Sequence, residues 1–214
     1  NCHFKVKMMK NRVVILGCGE SGIGSSLLAL KKGYSVYVSD NGIIKEKYKN
    51  ILKLNKINWE ENSHNKNKLI DADFVVKSPG ISNNNSIIKF LFKNKIPVIS
   101  EIEFACKNTN AKLICITGTN GKTTTSTLIY KILKDFGYNV GLAGNIGNSF
   151  AKKVANENFD YYVLEISSFQ LEDIIDFRPD IAVITNISND HLDHYDNNFD
   201  KYLNTKLKIF MNQN

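Results

Sequence analysis

The hydrophobic positions fall into short apolar runs separated by stretches with helical spacing. RVVILG (12–17) reads as a buried strand, and GIGSSLLALKKG (22–33) as a helix ended by Gly33. YSVYVSD (34–40) and DFVVKSPG (73–80) read as strands, SIIKFLFKNK (86–95) as a helix, and IPVIS (96–100) as a strand. Residues 41–70 are polar, rich in asparagine and at most partly helical. A second series opens with the strand AKLICITG (111–118) and the helix KTTTSTLIYKILKDFG (122–137), which Gly137 is placed to stop. YNVGLAG (138–144), DYYVLEIS (160–167) and DIAVITN (180–186) read as strands, and NNFDKYLNTKLKIFMNQ (197–213) as a closing helix. Strands alternating with helices predict parallel sheets covered on both faces. The expected fold is α/β in two units with a boundary near residue 100. The second unit stops at 214 without a closing sheet element, as the front part of a larger domain would.

Composition narrows the function classes. The 214 residues, 43% hydrophobic and 23% charged, suit one large or two modest globular domains. No apolar run approaches the ~20 residues of a membrane span, and NCHFKVKMMKN is too polar for a signal peptide and reads as a tail before the first strand. The net charge of +7 raises the question of nucleic acid, but only Arg12 and Arg178 are arginines. The lysines are scattered, often beside asparagine, whereas arginine is the preferred reader of phosphates and guanine edges. Neither a nucleic-acid nor a membrane partner is expected. Cys2, Cys18, Cys106 and Cys115 form no C-x-x-C pair, which fits a reduced, cytoplasmic compartment.

Two glycine-rich loops carry the candidate chemistry. Gly17-x-Gly19-x-x-Gly22 follows a strand and opens a helix, and Asp40 ends the next strand. This is the context of a dinucleotide fingerprint, or of a tight strand-to-helix turn without a ligand. CITGTNGKTTTS (115–126) also joins strand to helix. With Gly121-Lys122-Thr123 fixed, the Walker pattern needs glycine at 116, where Ile116 stands. If the loop is real, amides of Gly118, Thr119, Asn120, Gly121, Lys122 and Thr123 would face an anion. Lys122 would then reach the β/γ-phosphates, and Thr123 would serve Mg²⁺. Glu165 ends an apolar strand, where a carboxylate is either solvated or bound to a cation. NDHLDHY (189–195) is either a metal site or a polar loop, Lys206 by itself would pass for a surface lysine, and Ser167-Ser168 lacks a nucleophile elbow.

Taken together, the motifs resemble the Mur ligase family. ITGTNGKTT (116–124) is similar to that family's ATP loop, which has no glycine at the position of Ile116. GNIG (144–147), LEISSFQLE (164–172) and NISNDHLDHY (186–195) follow in the family's order. The serine-rich LEISSFQLE, with SPGI (78–81) and the first glycine loop, resembles the branch that adds D-glutamate to UDP-N-acetylmuramoyl-L-alanine in peptidoglycan precursor synthesis. The resemblance implies a UDP-binding Rossmann-like domain over 1–99 and an incomplete P-loop-type ATPase domain over 100–214. The C-terminal amino-acid-binding domain would be absent, so residues 1–214 alone would not turn over. It implies a monomeric, ATP-dependent ligase working through an acyl phosphate. Gly118 to Thr123, with Thr124, would hold ATP. Thr123 and Glu165 would hold one Mg²⁺, His191 and a carbamylated Lys206 a second, and Lys122 would complete the catalytic set. Ser21, Asp40, Asn41, Ser78 and Gly80 would line the uridine-diphosphate site, and Asn145, Ser167 and Gln170 would contact the substrate. Glu20 departs from the hydrophobic residue common there in the family. A sister ligase with another amino acid, an NAD-dependent oxidoreductase resting on the first loop alone, and an inactive nucleotide-binding module are the alternatives.

Overall fold

The computed structural model describes residues 11–213, so the N-terminal tail read above lies almost wholly outside the described residues. Strands β1 (Arg12–Leu16), β2 (Ser35–Ser39), β3 (Asn58–Glu60), β4 (Phe74–Lys77) and β5 (Val98–Ser100) form a first sheet in the order β3-β2-β1-β4-β5. Strands β6 (Lys112–Thr117), β7 (Val140–Gly144), β8 (Tyr161–Glu165) and β9 (Ile181–Ile184) form a second in the order β7-β8-β6-β9. Every pairing is parallel. The helices are α1 (Glu20–Lys31), α2 (Glu46–Leu54), α3 (Lys66–Leu69), α4 (Ser86–Lys93), α5 (Glu101–Cys106), α6 (Lys122–Asp135), α7 (Phe150–Asn156), α8 (Ser168–Leu171) and α9 (Phe199–Leu207).

Alternation along the strands divides the core. Val13, Ile15, Val36 and Val38 of the first sheet share one continuous core with Leu113, Cys115, Tyr162 and Leu164 of the second. Ile23 and Leu28 of α1, Phe104 of α5, and Phe150 and Val154 of α7 belong to it. Val14, Leu16 and Val75 pack instead with Leu69, Ile87, Ile88 and Leu91 of α3 and α4. Ile114, Ile116 and Val163 pack with Ile129 and Leu133 of α6. The halves are joined by polar contacts too: Lys31 Nζ donates to Ala155 O at 2.7 Å, and Lys152 pairs with Glu20 at 2.8 Å.

Most of the expected elements form. Gly33 and Gly137 follow α1 and α6 with φ of +81° and +82°. In each case two bonds reach back over the last turn, Tyr34 N to Ala29 O and Tyr138 N to Leu133 O being the outer ones. The expected strand 73–80 stops at Lys77, because Ser78 to Ile81 forms a turn closed by Ile81 N to Ser78 O at 3.1 Å. The polar stretch 41–70 contains α2, β3 and α3. Helices α5 and α7 have no counterpart in the sequence reading. Each is short and capped by a serine (Ser100, Ser149); α5 is buried almost throughout, and α7 runs for only seven residues, so neither sets a clear helical period.

Candidate active site at the strand ends

The second glycine loop links β6 to α6. Gly118 has φ +144°, and a Cβ there would fall 2.0 Å from Thr185 Oγ1, so the position excludes any side chain. Residues after β9 brace the loop. Thr119 N donates to Asn186 O at 2.9 Å, Asn120 N to Asn186 Oδ1 at 3.0 Å, and Thr185 Oγ1 to Asn120 O at 2.6 Å. The Thr119 hydroxyl meets Tyr202 Oη at 2.9 Å. The amides of Thr119 and Asn120 are therefore committed within the protein and do not face an anion, contrary to the expectation for those two. The first-turn amides of α6, Lys122 to Thr124, precede the first intrahelical bond, Thr125 N to Gly121 O, and stand where a helix N-terminus favours negative charge. Lys122 Nζ folds back onto Gly118 O at 3.0 Å and Thr119 O at 2.7 Å.

Glu165 ends β8 beside that helix and is 3% exposed. Its carboxylate accepts from Thr123 Oγ1 at 2.7 Å and from Asn145 Nδ2 at 2.9 Å, and among the described residues no cationic side chain lies within 4.0 Å. A buried carboxylate with only neutral donors is costly unless a cation completes it. Carboxylate and hydroxyl oxygens together suit a hard ion such as Mg²⁺. Lys206, on α9, is 2% exposed and donates to Gly118 O at 2.9 Å, the same carbonyl that Lys122 reaches. Burial, then the charge of Lys122, pull the Lys206 ammonium down to about 8, against a smaller upward pull from Asp190. His191 stands in a left-handed conformation (φ +49°), 3.6 Å from Asp190 and with its ring 5.5 Å from that of Phe169. Among the described residues no three His, Cys, Asp or Glu side chains form a metal-binding group. The implied ligand set has only two of these types, Glu165 and His191.

The first glycine loop joins β1 to α1 in the other half. Gly17 has φ +87°, and a Cβ on Gly22 would fall 1.9 Å from Gly17 O, the close helix-to-strand approach such loops need. Asp40 accepts from Cys18 N at 2.6 Å and Gly42 N at 2.8 Å, so its carboxylate ties down the loop. Ser78 Oγ donates to Gly17 O at 3.4 Å. A cavity of about 390 Å³ opens between the halves, with Ser21 and Gly80 on one wall and Asn145, Ser167 and Gln170 on the other. Ser167 and Gln170 also form a capping box that starts α8. Asn41 lines a different cavity of about 290 Å³, with His64 and Lys66.

Comparison with known proteins identifies the family. The Mur ligase middle domain matches residues 116–214 and the MurD N-terminal domain matches residues 12–87. The chain belongs to the Mur ligase family. Among curated Mur ligases it is 55% identical to the UDP-N-acetylmuramoylalanine–D-glutamate ligase of Bacteroides fragilis, over 94% of this chain and 46% of that one. The enzyme of that name from Porphyromonas gingivalis is 47% identical over 96% of this chain and 46% of its own. The chain thus spans about half the length of the curated relatives it matches. The fold matches that of UDP-N-acetylmuramate-alanine ligase from Thermotoga maritima (24% identity, TM-score 0.62, covering 94% of this chain and 47% of that one). It also matches UDP-N-acetylmuramate:L-alanyl-gamma-D-glutamyl-meso-diaminopimelate ligase from Neisseria meningitides (19% identity, TM-score 0.64, covering 94% of this chain and 68% of that one). Both Mur ligase structures support an α/β architecture of parallel sheets.

Some residues that line the interlobe cavity were not among the expected site residues. Phe169 and His194 line the cavity, with their rings 4.6 Å apart and His194 Nε2 2.7 Å from Glu172. Glu20 also lines it and pairs with Lys152 from the opposite half. Its negative charge is thereby matched, a fact that no local pattern around position 20 carries.

Proposed function

We propose that the chain supplies the UDP-binding domain (1–99) and the front of the ATPase domain (100–214) of a cytoplasmic ligase. That enzyme would join D-glutamate to UDP-N-acetylmuramoyl-L-alanine with conversion of ATP to ADP and phosphate. The L-alanine carboxylate would attack the γ-phosphorus, releasing ADP and leaving an acyl phosphate. The D-glutamate amine would then attack the acyl carbon, expelling phosphate and losing a proton. Positioning and charge neutralisation dominate such a reaction, because two anions must meet.

The observation that carries this reading is a hydrogen-bonded line from the second glycine loop into the interlobe cavity: Thr123 to Glu165 to Asn145. In this account Gly118 to Thr124 form the ATP loop, with Thr119 and Asn120 holding its shape and the α6 amides meeting the phosphates. Lys122 would leave the Gly118 and Thr119 carbonyls for the β/γ-phosphates. Thr123 and Glu165 would hold one Mg²⁺, and His191 with Lys206 a second, the latter as a carbamate. Mg²⁺, when bound, supplies positive charge that offsets the phosphate oxygens. The lowered Lys206 value favours the neutral amine that a carbamate requires. Ser21, Asp40, Asn41, Ser78 and Gly80 would frame the uridine diphosphate, Asp40 and Ser78 by shaping the first loop. Asn145, Ser167 and Gln170 would meet the sugar–alanine end. An oxidoreductase would rest on the first glycine loop alone and would leave the second loop, Glu165 and the buried Lys206 without a role.

In the full-length protein, Asn145→Ala is expected to raise the KM for the sugar nucleotide about tenfold while leaving that for ATP within about twofold. Equal increases for both substrates, or none, would refute the assignment of Asn145 to the substrate side.

A further inference from the structure

Lys77, the last residue of β4, is 1% exposed yet charged, and no role in the reaction above uses it. Its ammonium forms an ion pair with Asp173 Oδ2 at 2.6 Å, without hydrogen-bond alignment. It donates to Ile81 O at 2.6 Å and to Asn83 Oδ1 at 3.1 Å. Asn83 Nδ2 in turn donates to Asp173 Oδ1 at 2.6 Å, which closes a three-residue ring. The ring crosses the molecule. Lys77 and Asn83 flank the Ser78–Ile81 turn of the first half, and Asp173 follows α8 of the second. The two segments it joins are opposite walls of one cavity: Pro79 and Gly80 on one side, Ser167, Phe169 and Gln170 on the other.

We propose that Lys77 is a positioning residue that latches the Ser78–Ile81 turn to the end of α8 and so fixes the width of the cleft that receives the sugar nucleotide. The inference deepens the ligase reading and rests on it for the identity of the ligand, not for the latch. Two features make the ring suited to that role and poorly suited to simple stabilisation. A buried ion pair returns little net stability, since desolvation offsets its attraction. The halves are already held by the shared apolar core and by the Lys31 and Lys152 contacts. What the ring adds is direction: one ammonium sets both the turn's last carbonyl and the distance to the facing wall.

The test uses Lys77→Met and Lys77→Arg in the full-length protein. Hydrogen–deuterium exchange in Lys77→Met is expected to speed up in residues 78–83 and 168–175 while α1 and α7 keep parental protection. The KM for the sugar nucleotide is expected to rise roughly tenfold, in line with the loss of sub-ångström placement, with the ATP KM and kcat within about twofold. Lys77→Arg, which keeps the charge, should restore most of that loss. Unchanged exchange in both segments overturns the latch. Faster exchange throughout, or parallel losses in both KM values, overturns the positioning role in favour of a structural one. If the parent protein has no ligase activity, the ligase reading fails by itself, and the exchange measurement still decides the latch.

Discussion

Lys122 and Lys206 converge on one carbonyl, Gly118 O, and the unusual ammonium of Lys206 comes first from its burial and second from the neighbouring Lys122 charge. Neutral Lys206 becomes the main form as pH rises through about 8, well below the ordinary lysine range. Carbamate formation needs that neutral amine. With ¹³C-labelled bicarbonate, a carbamate carbon signal dependent on Lys206 should grow steeply across this range, whereas growth only near pH 10 would contradict the assignment. Glu165→Gln keeps the hydrogen bond to Thr123 in shape and removes the charge, so full-length ligase activity should fall by roughly 100-fold or more, with the far-UV circular dichroism unchanged. At this scale the sequence was informative about chemistry and silent about contacts. Residues in named motifs, such as Thr123, Glu165 and Asn145, do meet. The commitment of the Thr119 and Asn120 amides to Asn186 could not be read, because it depends on a loop 66 residues away in the chain.

Among the elements, glycine positions with a steric reason were the most legible. Gly137→Ala places a side chain at φ +82° and should lower the unfolding free energy by about 1 kcal/mol in urea titration. Gly22→Ala meets Gly17 O and has no flexible neighbour to displace, so a larger loss, on the order of 3 kcal/mol, is expected. Equal effects at the two positions would contradict a rigid approach of α1 to the Gly17 carbonyl. The long apolar strands and α6 follow from periodicity. Helices α5 and α7 do not, since α5 is buried almost throughout and α7, which faces solvent through Lys152, Lys153 and Asn156, is only seven residues long. Their signal was local and faint: a serine cap ahead of a six- or seven-residue run.

For the whole molecule, the two sheets function as one body because α1, α5 and α7 share a core, and two acids of α5 are buried in that region. Glu103 accepts from the amides of Ile175, Asp176 and Phe177, fixing the chain between α8 and β9. Glu101 accepts from Ala151 N with one oxygen, and its other oxygen is buried without a partner. Burial, opposed by that amide and aided by Glu20, pushes the Glu101 carboxyl up to about 7 from its ordinary 4.5. The native state then holds a proton that the unfolded chain has lost between these values. Stability contributed by Glu101 is therefore full below about 4.5 and falls as pH rises to about 7, by on the order of 3 kcal/mol. Melting temperatures from pH 5 to 8 should show this decline in the parent and much less of it in Glu101→Gln; parallel curves would contradict it. None of this interlayer chemistry was legible beforehand, because it arises only when distant elements enclose a side chain. The central claim is that the two glycine loops serve one ligation. Its most direct test is phosphate release by the full-length protein given ATP, UDP-N-acetylmuramoyl-L-alanine and an amino acid. Release that requires D-glutamate and fails with L-glutamate or L-alanine is the predicted result. Turnover with a different amino acid, or none with D-glutamate, would contradict it.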